Sequence, residues 1–187
     1  MAFSLYDATV PPYLQMLGAL EHMLEKAEKW CAEEGVGEEA LLQSRLASDM
    51  LPFAYQVKVA AHHSAGALHG VRKGSFSPQR IATRDTLDVL RARIRWALDE
   101  CGAITRKEVN SWVGRPMRFV VRGHAKPYVA ERFLMSFSQP NFYFHVTTAY
   151  ALMRVAGMDI GKSDYLGVLQ TQDNQCNEPR AHTLVRN

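Results

Sequence analysis

The chain has 187 residues, a formal net charge of +3, 47% hydrophobic residues and 22% charged residues. These proportions are ordinary for one folded domain, and they exclude a collagen-like, disulfide-stapled or globally disordered chain. No apolar run reaches the ~18 residues that a membrane helix needs, and the N-terminus has no signal-peptide pattern, so we expect a cytoplasmic protein without a membrane partner.

The first two predicted helices follow from proline positions and apolar spacing. The first is predicted to begin at Pro11-Pro12, since proline is tolerated in a helical first turn, and to end before Gly35. The second is predicted to begin with Asp49 as its N-cap and Pro52 in its first turn. Core-facing residues recur at helical spacing in both: Leu17, Leu20, Leu24, Ala27 and Cys31, and then Phe53, Val57, Ala60, Ser64 and Leu68. Residues 70–78 are predicted to form a loop.

Two more helices follow, separated by a short insertion. Thr83 is the predicted cap of the third helix, whose core stripe is Leu87, Leu90, Ile94, Leu98 and Cys101. Met117, Phe119 and Val121 alternate with Arg118, Val120 and Arg122, which predicts a short strand, whereas residues 128–137 fit a second strand or a helical turn. The fourth helix, over residues 140–157, is apolar nearly all round, so we expect it at the centre of the fold or at an oligomer interface.

These elements predict an all-α fold, a four-helix bundle with a small strand or loop insertion before the last helix. We expect a single domain over residues 1–169. The remaining residues, 170–187, are predicted to form a polar and flexible C-terminal tail.

Charge is unevenly distributed along the chain. Residues 1–70 carry 4 Lys and Arg against 9 Asp and Glu, whereas residues 71–187 carry 18 against 10. The favoured interpretation is a solvated arginine-rich helix face and loop that dock on the acidic N-terminal half. The alternative is a patch that binds nucleic acid or an anionic substrate, although no nucleic-acid motif accompanies the charges.

The fourth helix holds the most informative residues. Asn141, His145 and Thr148 lie at positions i, i+4 and i+7 and form one polar strip on an otherwise apolar helix. Buried polar groups need hydrogen-bond partners, so this strip must face other polar atoms, water, a ligand or a metal. The residues leave two interpretations open, a hydrogen-bond network inside the core or a binding site.

The second predicted helix also carries a glutamine and three histidines. Gln56 and His63 share a face beside the core stripe, so Gln56 could meet the polar strip, whereas His62 and His69 share the opposite, wetter face. No two histidines stand three or four residues apart, which is the spacing that metal sites on a helix need.

Two strings in the last third of the chain resemble a bacterial branch of the DinB-like (DNA-damage-inducible B) superfamily, a branch known as a domain of unknown function. They are PNFYFHVTTAYALMR over residues 140–154 and GKSDYLG over residues 161–167. Shorter strings fit the same branch: residues 5–7, 12–20 and 45–52. The resemblance implies a four-helix bundle, often dimeric, so we expect a homodimer. Many members of the superfamily hold zinc or nickel with three histidines, and some are thiol-dependent S-transferases or isomerases.

This chain departs from the metal pattern that the resemblance implies. The first helix-four ligand matches His145, but the second falls on Ala149, which has no donor atom. The helix-two ligand falls near Gln56, a poor ligand for such an ion. We therefore expect no cofactor, the alternative being a zinc or nickel ion for which His145 is the one matched ligand.

Three functions stay open. The first is a DinB-like protein whose degenerate, metal-free polar cavity binds a small molecule or is only a core network, with these candidate ligand-binding residues: Gln56, Asn141, His145, Thr148 and Tyr150. The second is a metal- or thiol-dependent transferase or hydrolase in which His145 is a ligand or general base. The third is a binder of nucleic acid or an acidic partner through an arginine-rich face: Arg91, Arg93, Arg95, Arg115, Arg118 and Arg122. A nucleic-acid partner is the less favoured of these, and no catalytic residue is assigned.

Overall fold

The computed structural model describes residues 2–78 and 85–171, which are mostly helical and include a small three-stranded sheet. The helices are α1 (Leu5–Glu33), α2 (Glu38–Leu42), α3 (Phe53–Ala61), α4 (Ala67–Lys73), α5 (Leu87–Ala103), α6 (Arg106–Asn110), α7 (Ala130–Phe133), α8 (Gln139–Val155) and α9 (Lys162–Leu166). The strands are β1 (Ser75–Phe76), β2 (Pro116–Val121) and β3 (His124–Val129). Two π-helical turns, π1 (His62–Gly66) and π2 (Leu134–Ser138), join α3 to α4 and α7 to α8.

Helix α1 begins six residues before the predicted start, so the prediction of a start at Pro11 was wrong. Ser4 is the N-cap: its hydroxyl accepts from the Asp7 backbone N–H, and the Asp7 carboxylate accepts from the Ser4 N–H. Pro12 has no N–H to donate to the carbonyl of Ala8, and the Gln139 side chain donates to that carbonyl instead, at 2.8 Å. A side chain from α8 therefore satisfies the carbonyl that Pro12 leaves without its helical donor.

The second long helix begins after Pro52, which is its N-cap in extended conformation, and not at Asp49 as predicted. The residue before a proline is disfavoured in helical conformation, so a helix cannot run easily from Asp49 through Leu51. The predicted cap of the third helix, Thr83, lies outside the described residues. There Thr86 caps α5, with its hydroxyl accepting from the Val89 N–H at 3.1 Å.

The sheet makes the all-α prediction too narrow. Strand β2 coincides with the predicted strand, and β3 pairs with it antiparallel and ends where α7 begins at Ala130. Of residues 128–137, only the first two are extended and the rest are helical. Strand β1 lies in the segment that was predicted as a loop, and it pairs parallel with β2 through Phe76 and Phe119.

Four long helical segments enclose the core. Helix α1 packs on α5 and α8, and α3 packs on the same two helices. The last long helix exposes two large apolar side chains, Phe144 and Val155, although its composition predicted burial on most sides. No helix among the described residues is both long and apolar enough to cross a membrane.

The acidic and basic parts of the chain meet where α1 packs on α5. Arg91 binds Glu25 and Glu28, and Arg95 binds Glu21 at 2.6 Å. Two arginines of the proposed basic face are therefore neutralised by the acidic first helix, as the favoured interpretation of the charge distribution expects.

Two helical glycines are expected to respond oppositely to alanine. A Cβ at Gly18 has no atom within 4 Å, so Gly18→Ala should stabilise the protein by about 0.5–1 kcal/mol through helix propensity. A Cβ at Gly70 would lie 2.9 Å from the Cβ of Phe76 and 3.2 Å from the carbonyl oxygen of Ser75. Overpacking of this kind costs about 1–3 kcal/mol, so Gly70→Ala should lower the free energy of unfolding by about 1 kcal/mol after the propensity gain. Urea unfolding of both variants tests this, and a stabilised Gly70→Ala would contradict the close contact with β1.

Candidate functional site

Gln56 and His145 form a hydrogen-bonded pair where α3 packs on α8. The Gln56 amide nitrogen donates to the Leu51 carbonyl at 2.7 Å, which leaves its Oε1 as an acceptor. Oε1 lies 2.6 Å from Nδ1 of His145, so Nδ1 must carry the proton of that bond. In the neutral form of His145 this bond selects the tautomer with the proton on Nδ1 and the lone pair on Nε2.

His63 and Ser138 form a second pair, in which each residue lies in a π-helical turn. The Ser138 hydroxyl donates to the backbone carbonyl of His63 at 2.9 Å, so its oxygen accepts from Nδ1 of His63 at 3.1 Å. This arrangement again places the proton on Nδ1. Nε2 of His63 makes no hydrogen bond within the described residues. Single π-turns inside longer helices occur frequently at functional sites.

A cavity of about 60 Å³ lies beside His63, with room for a few water molecules or part of a small organic ligand. Its walls are mostly aromatic and come from α3, the two π-helical turns and the sheet with the residues that follow β1: Tyr55, Val59, His62, His63, Phe76, Pro78, Phe119 and Phe137. The rings of His63 and His145 are nearly parallel, with centroids 6.1 Å apart, although His145 itself does not line the cavity.

His62 is buried, which corrects the prediction that it lies on a wet helix face. Its ring stacks on Phe76 at a centroid distance of 4.4 Å, and its Nε2 donates to the Ser77 carbonyl at 2.8 Å. Both partners belong to β1 or follow it directly, in the segment that was predicted as a loop. The sheet therefore covers a helix face that helical spacing alone would leave exposed.

Burial keeps these imidazoles uncharged near neutral pH. Desolvation, with smaller contributions from His62 and His145, lowers the pKa of His63 to about 3. Desolvation lowers the pKa of His145 to about 4. The pKa of His62 is also lowered, mainly by burial. The cavity therefore presents neutral rings and hydrogen-bond acceptors.

The structure brings together only two of the five residues that the sequence analysis selected. Gln56 and His145 meet as described, whereas Asn141 and Thr148 donate to carbonyls of their own helical segment, those of Phe137 and Phe144, at 2.7 Å each. Tyr150 packs on another face, with its ring 5.5 Å from that of Tyr165. Helical spacing placed His63 on the same face as Gln56, but no pattern in the sequence indicated that Ser138 and Phe76 contact His63.

The donor atoms do not fit the three-histidine metal site that the resemblance implies. Ala149 is fully buried and has no donor, and Oε1 of Gln56 is already hydrogen-bonded to His145. Among residues 2–78 and 85–171, no three His, Cys, Asp or Glu side chains come together in a group that could hold a metal ion.

The two described cysteines lie outside the cavity wall. Cys31 and Cys101 are buried, and neither lines the cavity. Burial raises the pKa of Cys101 to about 12, so this thiol is not a nucleophile near neutral pH.

Comparisons with known proteins agree with this architecture. A family model described as "Domain of unknown function (DUF1993)" matches residues 5–166. A crystal structure of a DinB family member protein from Shewanella denitrificans is similar, with a TM-score of 0.76 and 29% sequence identity over 90% of this chain and 94% of that chain. Comparison with the curated proteins finds no match.

Proposed function

We propose that this chain, which belongs to the DinB-like family described as Domain of unknown function (DUF1993), binds a small molecule in the cavity beside His63. The ligand has a largely apolar body and a hydroxyl or N–H group that donates a hydrogen bond to His63. The observation that carries this proposal is Nε2 of His63, an acceptor that has no partner among the described residues and belongs to the wall of an aromatic cavity.

Contacts between the π-helical turns π1 and π2 hold this acceptor in position. Ser138 bonds both Nδ1 and the backbone carbonyl of His63, so the ring orientation and the tautomer are set from the neighbouring helix. The ring of Phe76 supports His63 from the sheet, at a centroid distance of 5.3 Å. An acceptor that is oriented before the ligand arrives loses little freedom on binding.

Binding is favoured over acid–base catalysis by the protonation behaviour of the histidines. A general base works best when its pKa lies near the working pH. The pKa values of His63 and His145, about 3 and about 4, lie far below that range. These imidazoles can accept a hydrogen bond at neutral pH, but they take up a proton only at considerable cost.

The wider architecture is part of the proposal. We propose a DinB-like four-helix bundle, supported by the packing of α1 and α3 on both α5 and α8. The homodimer, the cytoplasmic location and the single domain over residues 1–169 stay predictions.

Phenol and toluene are the probes that test the hydrogen bond to His63. Both have the size of one aromatic ring, but only phenol can donate. One net hydrogen bond is worth ~0.5–1.5 kcal/mol, so His63→Phe should lower the affinity for phenol relative to toluene by about two- to tenfold. Titration followed by NMR measures both affinities, and phenol should also shift the Nε2 resonance of ¹⁵N-labelled His63 in the natural chain.

His69→Phe is the matched control, because His69 lies on the outer side of α4 and binds Glu100 at 2.7 Å. The affinity for phenol relative to toluene should be the same in this variant as in the natural chain. The proposal fails if neither probe shifts the His63 resonances at millimolar concentration, a result that does not depend on the folding of any variant.

A further inference from the structure

We propose that the ligand of this cavity is a small aromatic acid, whose carboxylate pairs with Lys126 while its ring lies among the aromatic side chains. This inference rests on the proposed function of the cavity and adds the charge of the ligand to it. It is carried by the register of the three strands, which places a lysine in line with two residues of the cavity wall.

Phe76, Phe119 and Lys126 form one row across the sheet. Phe76 pairs with Phe119 between β1 and β2, and Phe119 pairs with Lys126 between β2 and β3. Directly opposed residues of neighbouring strands lie on the same face, with Cβ atoms about 5 Å apart. Since Phe76 and Phe119 both line the cavity, Lys126 extends this row from the wall to the edge of the sheet.

The next residue of β3 on this face, Tyr128, indicates which side of the sheet faces the cavity. Tyr128, two residues along β3, has its ring 5.9 Å from Phe133 and 6.4 Å from Phe137. Phe137 is itself part of the cavity wall. This face of β3 therefore points towards the cavity, whereas Arg118, on the alternate side of β2, is exposed on the outer face.

The charge of Lys126 is available to a ligand. The side chain is exposed and makes no ion pair within the described part of the chain. Lys58, beside the cavity residue Val59 on α3, is in contrast neutralised by both carboxylate oxygens of Asp85, at 2.8 and 2.9 Å. An anion at the edge of the cavity thus meets an unpaired cation on the β3 side.

The interior and the rim of the site suit different chemical groups of one ligand. The interior offers rings and the neutral acceptor of His63, which suit a planar apolar body with a donor group. The rim offers Lys126, which suits an anion. The cavity of about 60 Å³ holds part of one ring, so the rest of the molecule, including a short carboxylate arm, extends towards the rim.

4-Hydroxyphenylacetate and its neutral amide, 4-hydroxyphenylacetamide, separate charge from shape. An exposed ion pair is worth ~0.2–1 kcal/mol, so the carboxylate should bind the natural chain about 1.4- to fivefold more tightly than the amide at low salt. The preference should disappear at high salt, because mobile ions screen an exposed pair. Isothermal titration calorimetry or NMR titration measures the ratio of the two affinities.

Lys126→Gln should reduce this ratio to about one and leave the affinity for the amide unchanged. Arg118→Gln, which removes the same charge from the outer face of the same sheet, should keep the preference. Equal binding of acid and amide by the natural chain would overturn the role of Lys126 while the phenol test still supports the cavity. If both variants lost the preference for the acid equally, the preference would come from the total positive charge of the protein. That result would also overturn the role of Lys126. If phenol does not bind either, the proposed function itself fails.

Discussion

Lowering the pH from 7 to 5 is expected to reduce the free energy of unfolding by about 4 kcal/mol through His63 and His145 alone. Both groups have pKa values below the ordinary value for histidine, about 3 and about 4 in the folded protein. The unfolded chain takes up these protons as the pH falls through about 6.5, whereas the folded protein does not until the pH approaches its own lower values. The stabilisation is thus complete above pH ~6.5 and is lost progressively below it.

Urea unfolding at several pH values measures this loss, and a histidine variant assigns it. In His63→Phe the decrease between pH 7 and pH 5 should be smaller by about 2 kcal/mol, because the contribution of His63 is gone while those of the other buried imidazoles stay. His124→Phe is the control, since His124 is exposed at the start of β3, and it should leave the pH dependence unchanged. An undiminished decrease in His63→Phe would show that His63 is not held neutral by burial.

Gln56→Leu is expected to lower the free energy of unfolding by about 1–3 kcal/mol, because it leaves the buried Nδ1–H of His145 without an acceptor. The double variant Gln56→Leu/His145→Phe should lose less than the sum of the single variants. Replacing both partners by apolar groups removes the unsatisfied donor, and contacting residues are not additive. Denaturant unfolding of the four proteins gives the interaction free energy of the pair.

Thr148→Val supplies a comparison on the same helix. Thr148 is also buried, but its hydroxyl donates only to the Phe144 carbonyl of its own helix, so the change should cost less than about 1 kcal/mol. Strict additivity of Gln56→Leu and His145→Phe would contradict a direct bond between the two side chains.

Local periodicity predicted the helices well and their ends poorly. The apolar stripes of the predicted helices are buried almost throughout, including Leu17, Leu24 and Val57. The start of α1 was missed although Ser4 and Asp7 form a local capping box, because proline marks the first turn of a helix more often than its interior. The distant residue Gln139, which satisfies the carbonyl that Pro12 leaves without its helical donor, cannot be inferred from neighbouring residues.

In the candidate site, spacing likewise predicted which sides of the helices face the core, but it did not predict every hydrogen-bond partner. The polar strip on the last helix correctly pointed to His145 and to Gln56 as its partner, since both lie on core-facing sides of their helices. Asn141 and Thr148 have the same spacing as His145, yet their short side chains bond to nearby backbone carbonyls. Spacing identifies the side of a helix, but it does not tell which polar groups are already satisfied within that helix.

The sequence by itself determined the mostly helical architecture, the inserted strand, the family resemblance and the core-facing sides on which Gln56 and His145 lie, because these depend on local periodicity and on recognisable strings. Only the tertiary structure decided the environment of His63. Its partner Ser138 is 75 residues away, and Phe76 and Phe119 come together through strand pairing between distant segments. Those contacts exclude water and thereby set the protonation of the imidazole, which is a property of the packed fold and of no single segment.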